Sequence, residues 1–155
     1  MRPLAKVSGV PKLPTRETVA QSNRRISMST QESIATVLAH CTGSEHQYRH
    51  SFMRSFRYTD GIQTLAEMAG AYWLIDLAAS HQTNIKVRRE PFQLWTLRKL
   101  PEGTKNKAVA ECRRDSNEKP IVRQFIEYTD FPFDDLGDSF EFYVCDSVML
   151  LKSEN

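Results

Sequence analysis

The sequence predicts a two-layer α+β domain, with N-terminal helices packed on one face of a four- or five-stranded antiparallel meander. Three observations carry this. Apolar residues recur at helical spacing up to about His81, they alternate with polar ones from Phe92 onward, and short turn signals separate the alternating runs. At 155 residues, one core of ordinary size needs no disulfide or metal staple.

Ser29 and Glu32 have the spacing of a capping box, and order is expected to begin there, in a domain over residues 29–155. Ile34, Val37, Leu38 and Cys41 follow at helical spacing, with Gly43 as the stop. Residues 44–58 read as loop with some helix, anchored by Tyr48, Phe52, Phe56 and Tyr58 among Arg49, Arg54 and Arg57. Thr59, Asp60 and Gly61 open a long helix to about His81, whose stripe is Ile62, Leu65, Ala66, Ala69, Trp73, Leu77 and Ser80. Gly70 costs that helix about 1 kcal/mol relative to Ala, so it marks either a close backbone approach or a break.

Residues 92–99, 107–114, 121–129 and 139–145 read as strands, with 148–151 as a fifth. Counting by alternation turns Phe92, Leu94, Ala108, Ala110, Cys112, Val122, Ile126, Tyr128, Phe140, Phe142 and Val144 toward the helices. The same count turns Trp95, Leu97, Lys99, Glu111, Arg113, Arg123, Phe125, Glu127, Glu141 and Tyr143 outward. Exposed aromatics among arginines mark an interaction surface, for a protein partner or a second copy, and also suit nucleic acid bases and phosphates. The carboxylates on that face oppose the nucleic-acid reading, and cover by the N-terminal arm or by residues 83–91 is the remaining alternative.

Charge is unevenly distributed. Residues 1–28 carry Arg2, Lys6, Lys12, Arg16, Arg24 and Arg25 against Glu17, a net +5, which leaves −3 for the rest of a chain of net +2. This basic, Pro-, Ser- and Thr-rich arm buries too little apolar surface to order by itself and is a candidate contact for nucleic acid phosphates. Met28, one residue before the capping signal, is an alternative start. Arg24, Arg25 and Ser27 form a short basophilic kinase pattern. Three widely spaced cysteines, Cys41, Cys112 and Cys145, argue for reduced thiols in the cytoplasm. No apolar run approaches the about 20 residues of a membrane span, and no secretory signal is evident.

Phosphate-loop, HExxH, CxxC and GxSxG patterns are all absent from the sequence. What chemistry there is centres on a few residues. Cys41, His46 and His50 are thiolate and imidazole ligands in one short stretch, with His81 as a fourth for zinc. Asp76 lies in an apolar helical segment where burial raises a carboxylate pKa, and with His50 and His81 it forms a candidate acid–base cluster. Asp130, Asp134, Asp135 and Asp138 offer oxygen ligands without the alternation of a calcium loop. No cofactor is expected.

Several segments together resemble a family of small bacterial proteins known only as a domain of unknown function. They are Thr42 to Glu45 with Tyr48, Arg49 and His50; Tyr58 to Gly61; Ala69 to Asp76; Phe92 to Trp95; Tyr128 to Pro132; and the C-terminal Leu150, Leu151, Ser153 and Glu154. The likeness covers residues 29–155. Tyr48, His50, Asp60, Trp73 and Asp76 fall within it, whereas Cys41 and His46 do not. It implies a bacterial, plasmid or phage setting and a cytoplasmic location, and by analogy a small accessory or inhibitory binding protein. The functional expectation is therefore a non-enzymatic protein that docks a macromolecule on Trp95, Phe125, Tyr143 and the neighbouring Lys99, Arg113 and Arg123. The alternative is a small enzyme or metal protein using His50, Asp76 and His81.

Overall fold

A computed structural model describes residues 32–155; the arm's six cations, Ser29 of the capping box and the kinase pattern lie outside the described residues. The described part is a mixed fold of five helices and one open, mostly antiparallel seven-stranded sheet. In chain order the elements are α1 (Ile34–Ala39), β1 (Gln47–Arg49), β2 (Arg57–Thr59), α2 (Asp60–Ala69), α3 (Tyr72–His81), α4 (Ile85–Arg88) and β3 (Phe92–Lys99). There follow β4 (Ala108–Arg113), β5 (Val122–Ile126), α5 (Phe133–Leu136), β6 (Ser139–Cys145), β7 (Val148–Leu151) and a closing 3-10 turn (Lys152–Glu154). Among the described residues no helix is long and apolar enough to cross a membrane.

The sheet runs β1-β2-β7-β6-β3-β4-β5, so it is not a simple meander. β6 returns past β5 to pair with β3 because its Phe140 and Phe142 lie opposite Leu97 and Trp95, and the Trp95 and Phe142 rings stack at 6.0 Å. β5, whose Arg123, Gln124 and Phe125 are all exposed, stays at the edge. The strand count exceeds the expected four or five because residues 44–58 supply β1 and β2. Their Tyr48 and Tyr58 sit directly opposite and stack at 5.5 Å, a cross-strand pair too short in sequence to show as alternation. β2 then runs parallel to β7.

Gly70 is a break, and the long helix becomes two. Its φ of +60° closes α2 with a left-handed cap, and Ala71 donates back to the Ala66 carbonyl at 3.0 Å. Residues Ile62, Leu65, Ala66, Leu74, Ile75 and Ala78 from the two helices share one core with Trp95, Leu97, Ala110, Phe142 and Met149.

β3 carries the main correction to strand phase. Gln93, Trp95 and Leu97 point toward the helices, and Phe92 and Leu94 point away. The cause is a buried amide pair: Gln82, the C-cap of α3, and Gln93 exchange two side-chain bonds of 3.0 Å, and Gln93 also donates to the Val87 carbonyl at 2.9 Å. The Trp95 indole N–H completes the set by donating to Gln93 Oε1 at 3.0 Å. Each polar atom in this network finds a partner, so a residue type that normally marks the solvent side is held inside. Tyr128, also expected inward, lies past the end of β5 and is exposed.

The start of α2 is held from the far end of the chain. Glu154 accepts from Thr59 Oγ1 at 2.6 Å, from the Gly61 amide at 3.0 Å and from the Leu151 amide at 2.9 Å. Gly61 is required there, since a Cβ would come within 2.6 Å of Leu151 Cδ1 and 2.7 Å of the Glu154 carboxyl carbon. At α1, the Asp135 carboxylate accepts from the Ser33 hydroxyl and from the Ile34 amide at 2.7 Å, so this member of the acidic run caps a helix rather than waiting for a cation.

Replacing Gln93 by Ala orphans Trp95 Nε1 and Gln82 Oε1 together. Urea unfolding of Gln93→Ala is expected to show a loss of about 3 kcal/mol, with the far-ultraviolet spectrum of the folded state unchanged.

Candidate functional site

The sheet face away from the helices is built in rows. Register places Arg123, Glu111, Thr96 and Glu141 side by side across β5, β4, β3 and β6, flanked by a row containing Phe125, Val109 and Arg98 and another containing Arg113, Leu94 and Tyr143. Glu111 is only 2 % exposed. Arg123 Nε donates to one of its oxygens at 2.6 Å, Arg113 donates to the other, and Arg98 stands 3.8 Å away. One buried carboxylate thus organises three guanidinium groups and leaves a local net charge of +2. Arg98 and Arg123 are about half exposed, and Arg113 Nε is buried without a partner among the described residues. Around this centre, Phe125 is 54 % exposed, Phe92 packs on Tyr143 at 4.9 Å, and Lys152 donates to Glu141 at 2.6 Å. That hydrogen bond, then the carboxylate charge, pushes the Lys152 pKa up.

Of the residues expected on this surface, Arg113, Arg123, Phe125 and Tyr143 lie on it. Trp95 does not: it is fully buried in the core, and the sequence reading that set it outward is overturned. Lys99 shares the phase of Trp95 and lies 3.9 Å from Asp134 at the end of β3. Arg98 takes their place on the surface, and Leu94, on the same side of the sheet, is buried. The run Phe-Gln-Leu-Trp-Thr-Leu is apolar in both phases, so no signal in β3 alone decides between them.

His50 and Asp76 do meet. The His50 side chain is 9 % exposed, its Nε2–H donates to Asp76 Oδ1 at 2.7 Å, and its Nδ1 accepts from the Met53 amide at 3.0 Å. Those two bonds fix the tautomer and occupy both ring nitrogens, so no imidazole lone pair is left to take a substrate proton. Asp76, two-thirds exposed, lines a shallow cavity of about 400 Å³ with Phe52, Met53 and Ser80. His81 is engaged elsewhere: its Nε2–H donates to Gln124 Oε1 at 2.7 Å and its ring packs on Trp95 at 5.5 Å. The expected triad is therefore a pair.

The zinc cluster is not assembled either. Cys41 donates to the Val37 carbonyl, His46 lies 3.8 Å from Asp60, and His50 is committed to Asp76. Among the described residues no three His, Cys, Asp or Glu side chains are grouped to hold a metal. Burial raises the thiol pKa of Cys41 and pushes that of Cys112 up to about 12, which keeps Cys112 protonated. Asp60 opens α2 as expected, and its carboxylate also accepts from the His46 amide at 2.9 Å and the Glu45 amide at 3.0 Å. The His46 bond, followed by that of Glu45, holds its carboxyl below the usual range.

Residues 32–155 match the model of the Family of unknown function (DUF6876). The chain belongs to this family. No curated protein and no solved structure matches it.

Two outcomes follow for this DUF6876 chain. Glu111→Ala leaves three like charges together without their shared anion, and thermal or urea unfolding should report a loss of about 2 kcal/mol, with Glu111→Gln less harmful. For Asp60 the folded pKa lies below the unfolded one, so its contribution is full above the unfolded value and disappears as pH falls through the folded one. An acid titration followed at the Glu45 and His46 amides should show their protection persisting below the pH at which a free Asp protonates. Asp60→Asn should abolish that acid dependence.

Proposed function

We propose that this protein is a non-enzymatic accessory or inhibitory protein that docks an acidic macromolecular partner on its outer sheet face. The observation that carries the reading is the arginine trio on Glu111. A carboxylate buried beneath three guanidinium groups fixes their positions, and Arg123 gives up only its Nε to that bond, so its terminal nitrogens remain as donors. Guanidinium forks recognise partner carboxylates or phosphates in two-bond geometry, and the exposed Phe125 beside them supplies apolar area. The occupied imidazole of His50 supports the same reading, since a proton-transfer enzyme built on that residue lacks its base. Bacterial, plasmid or phage origin and a cytoplasmic location belong to this proposal through the family likeness alone.

The decisive comparison is affinity capture from the native host with the full chain and with the Arg98→Ala, Arg123→Ala, Phe125→Ala variant, each with and without nuclease. The expected result is a protein partner captured by the natural sequence, insensitive to nuclease and lost with the triple variant, whose fold is checked by circular dichroism. Equal capture by both chains overturns the reading. Loss on nuclease treatment transfers the face to nucleic acid.

A further inference from the structure

A second basic site lies away from the outer face, between α4 and the turn that joins β4 to β5. Ile85, Lys86, Arg89, Arg114, Lys119 and Ile121 line a concavity of about 620 Å³, together with Glu90, Glu118 and Pro120. Four cations thus face two carboxylates. Glu90 is used to orient rather than to neutralise: it accepts from Arg114 Nε at 2.7 Å, which leaves the terminal nitrogens of that guanidinium to a ligand. Lys86, Arg89 and Lys119 form no ion pair among the described residues.

Both walls are held by the fold. Gln93 bonds the Val87 and Glu90 carbonyls at 2.9 and 3.3 Å and so fixes the end of α4. On the other side the Glu118 amide donates to the Asp115 carbonyl at 3.1 Å and the Ile121 amide to the Cys112 carbonyl at 2.7 Å. A cavity of this volume falls within the roughly 300–1,000 Å³ of small-ligand sites. Its chemistry is two-part, with guanidinium and ammonium donors for an anion and the aliphatic surfaces of Ile85, half exposed, and Ile121 for a ring.

We propose that this cavity binds a small ligand that carries a phosphate group on an apolar or aromatic ring system, of the size of a mononucleotide. The arginines match phosphate oxygens in two-bond geometry, the lysines act as point charges, and the isoleucines cover the ring. Net positive charge at the mouth also raises the local concentration of such an anion.

The test is calorimetric titration of the full chain with adenosine 5′-monophosphate, inorganic phosphate and adenosine as separate probes. The nucleotide is expected to saturate with a Kd below about 1 mM, and phosphate and adenosine to bind at least about tenfold more weakly. Arg89→Glu and Lys119→Glu, both exposed and clear of the core, should each weaken nucleotide binding about tenfold or more. Arg98→Ala on the outer face, which removes only a 3.8 Å contact to Glu111 and whose fold is checked by circular dichroism, should leave it unchanged, which separates this site from the partner-docking surface. Absence of saturation by the nucleotide, phosphate binding as tightly as the nucleotide, or indifference to the two cavity substitutions would each overturn the assignment. So would loss of nucleotide binding in a folded Arg98→Ala chain, which would place the phosphates on the outer face.

Discussion

The phase of strand β3 governs both faces of this sheet, and it is set by an amide turned inward. Were Gln93 outside, Trp95 and Leu97 would follow it, the helices α2 and α3 would rest on Phe92 and Leu94, and the arginine row would lose Arg98. The Gln82 and Gln93 side chains prevent this because each satisfies the other, while Trp95 and the Val87 carbonyl take up what remains. An unsatisfied amide in that position would cost about 1–3 kcal/mol, so the network is stable only as a whole. The same residue fixes the end of α4, and through it one wall of the basic cavity. A single buried amide therefore connects the core, the outward surface and the second site.

Much of the secondary structure was legible in the sequence. The strand Ser139–Cys145 sits where alternation places it, its Phe140, Phe142 and Val144 set against Glu141 and Tyr143, and the fifth strand Val148–Leu151 follows as an apolar run with no polar face. Gly70 announced itself as a helix problem and proved to be a cap. What alternation missed had physical reasons. In β3 both faces are apolar, so period two carries no phase, and the tie is broken only by Gln82, a residue eleven positions away. In β1 and β2 three residues are too few for a period, and the stabilising Tyr48 and Tyr58 stack is a contact between strands.

The candidate site was legible in pieces. Arg113, Arg123, Phe125 and Tyr143 share one sheet face, as alternation in strands of clear phase expects, whereas Trp95 belongs to the strand that lacks it. Pairing of His50 with Asp76 was a correct proximity with a changed meaning: the Met53 amide, which no side-chain pattern reveals, occupies the second nitrogen and makes the pair a tether between the end of β1 and α3. Carboxylates show the same lesson. Asp60, Asp135 and Glu154 each satisfy backbone amides from a distant part of the chain, and such bonds leave no trace in local spacing.

Strand order turns a sequence asymmetry into a spatial one. Residues 86–123 hold eleven basic and five acidic side chains, whereas residues 124–155 hold one basic and eight acidic. A simple meander would have put β5 against β6 and mixed the two sets. The observed order instead leaves β4 and β5 at the far edge, with β6 and β7 on the other side of β3. Cations consequently collect over β4 and β5, on the outer face through Arg113 and Arg123 and at the α4 cavity through Arg114 and Lys119. A protein whose described part has more acids than bases thereby presents anion-seeking surfaces at one end. Unequal charge of this kind acts over about a Debye length, roughly 8 Å at physiological salt, so it orients an approaching anion before any contact forms. Aromatic and aliphatic groups at Phe125 and Ile85 then decide what stays bound, because screened charge alone selects poorly among anions.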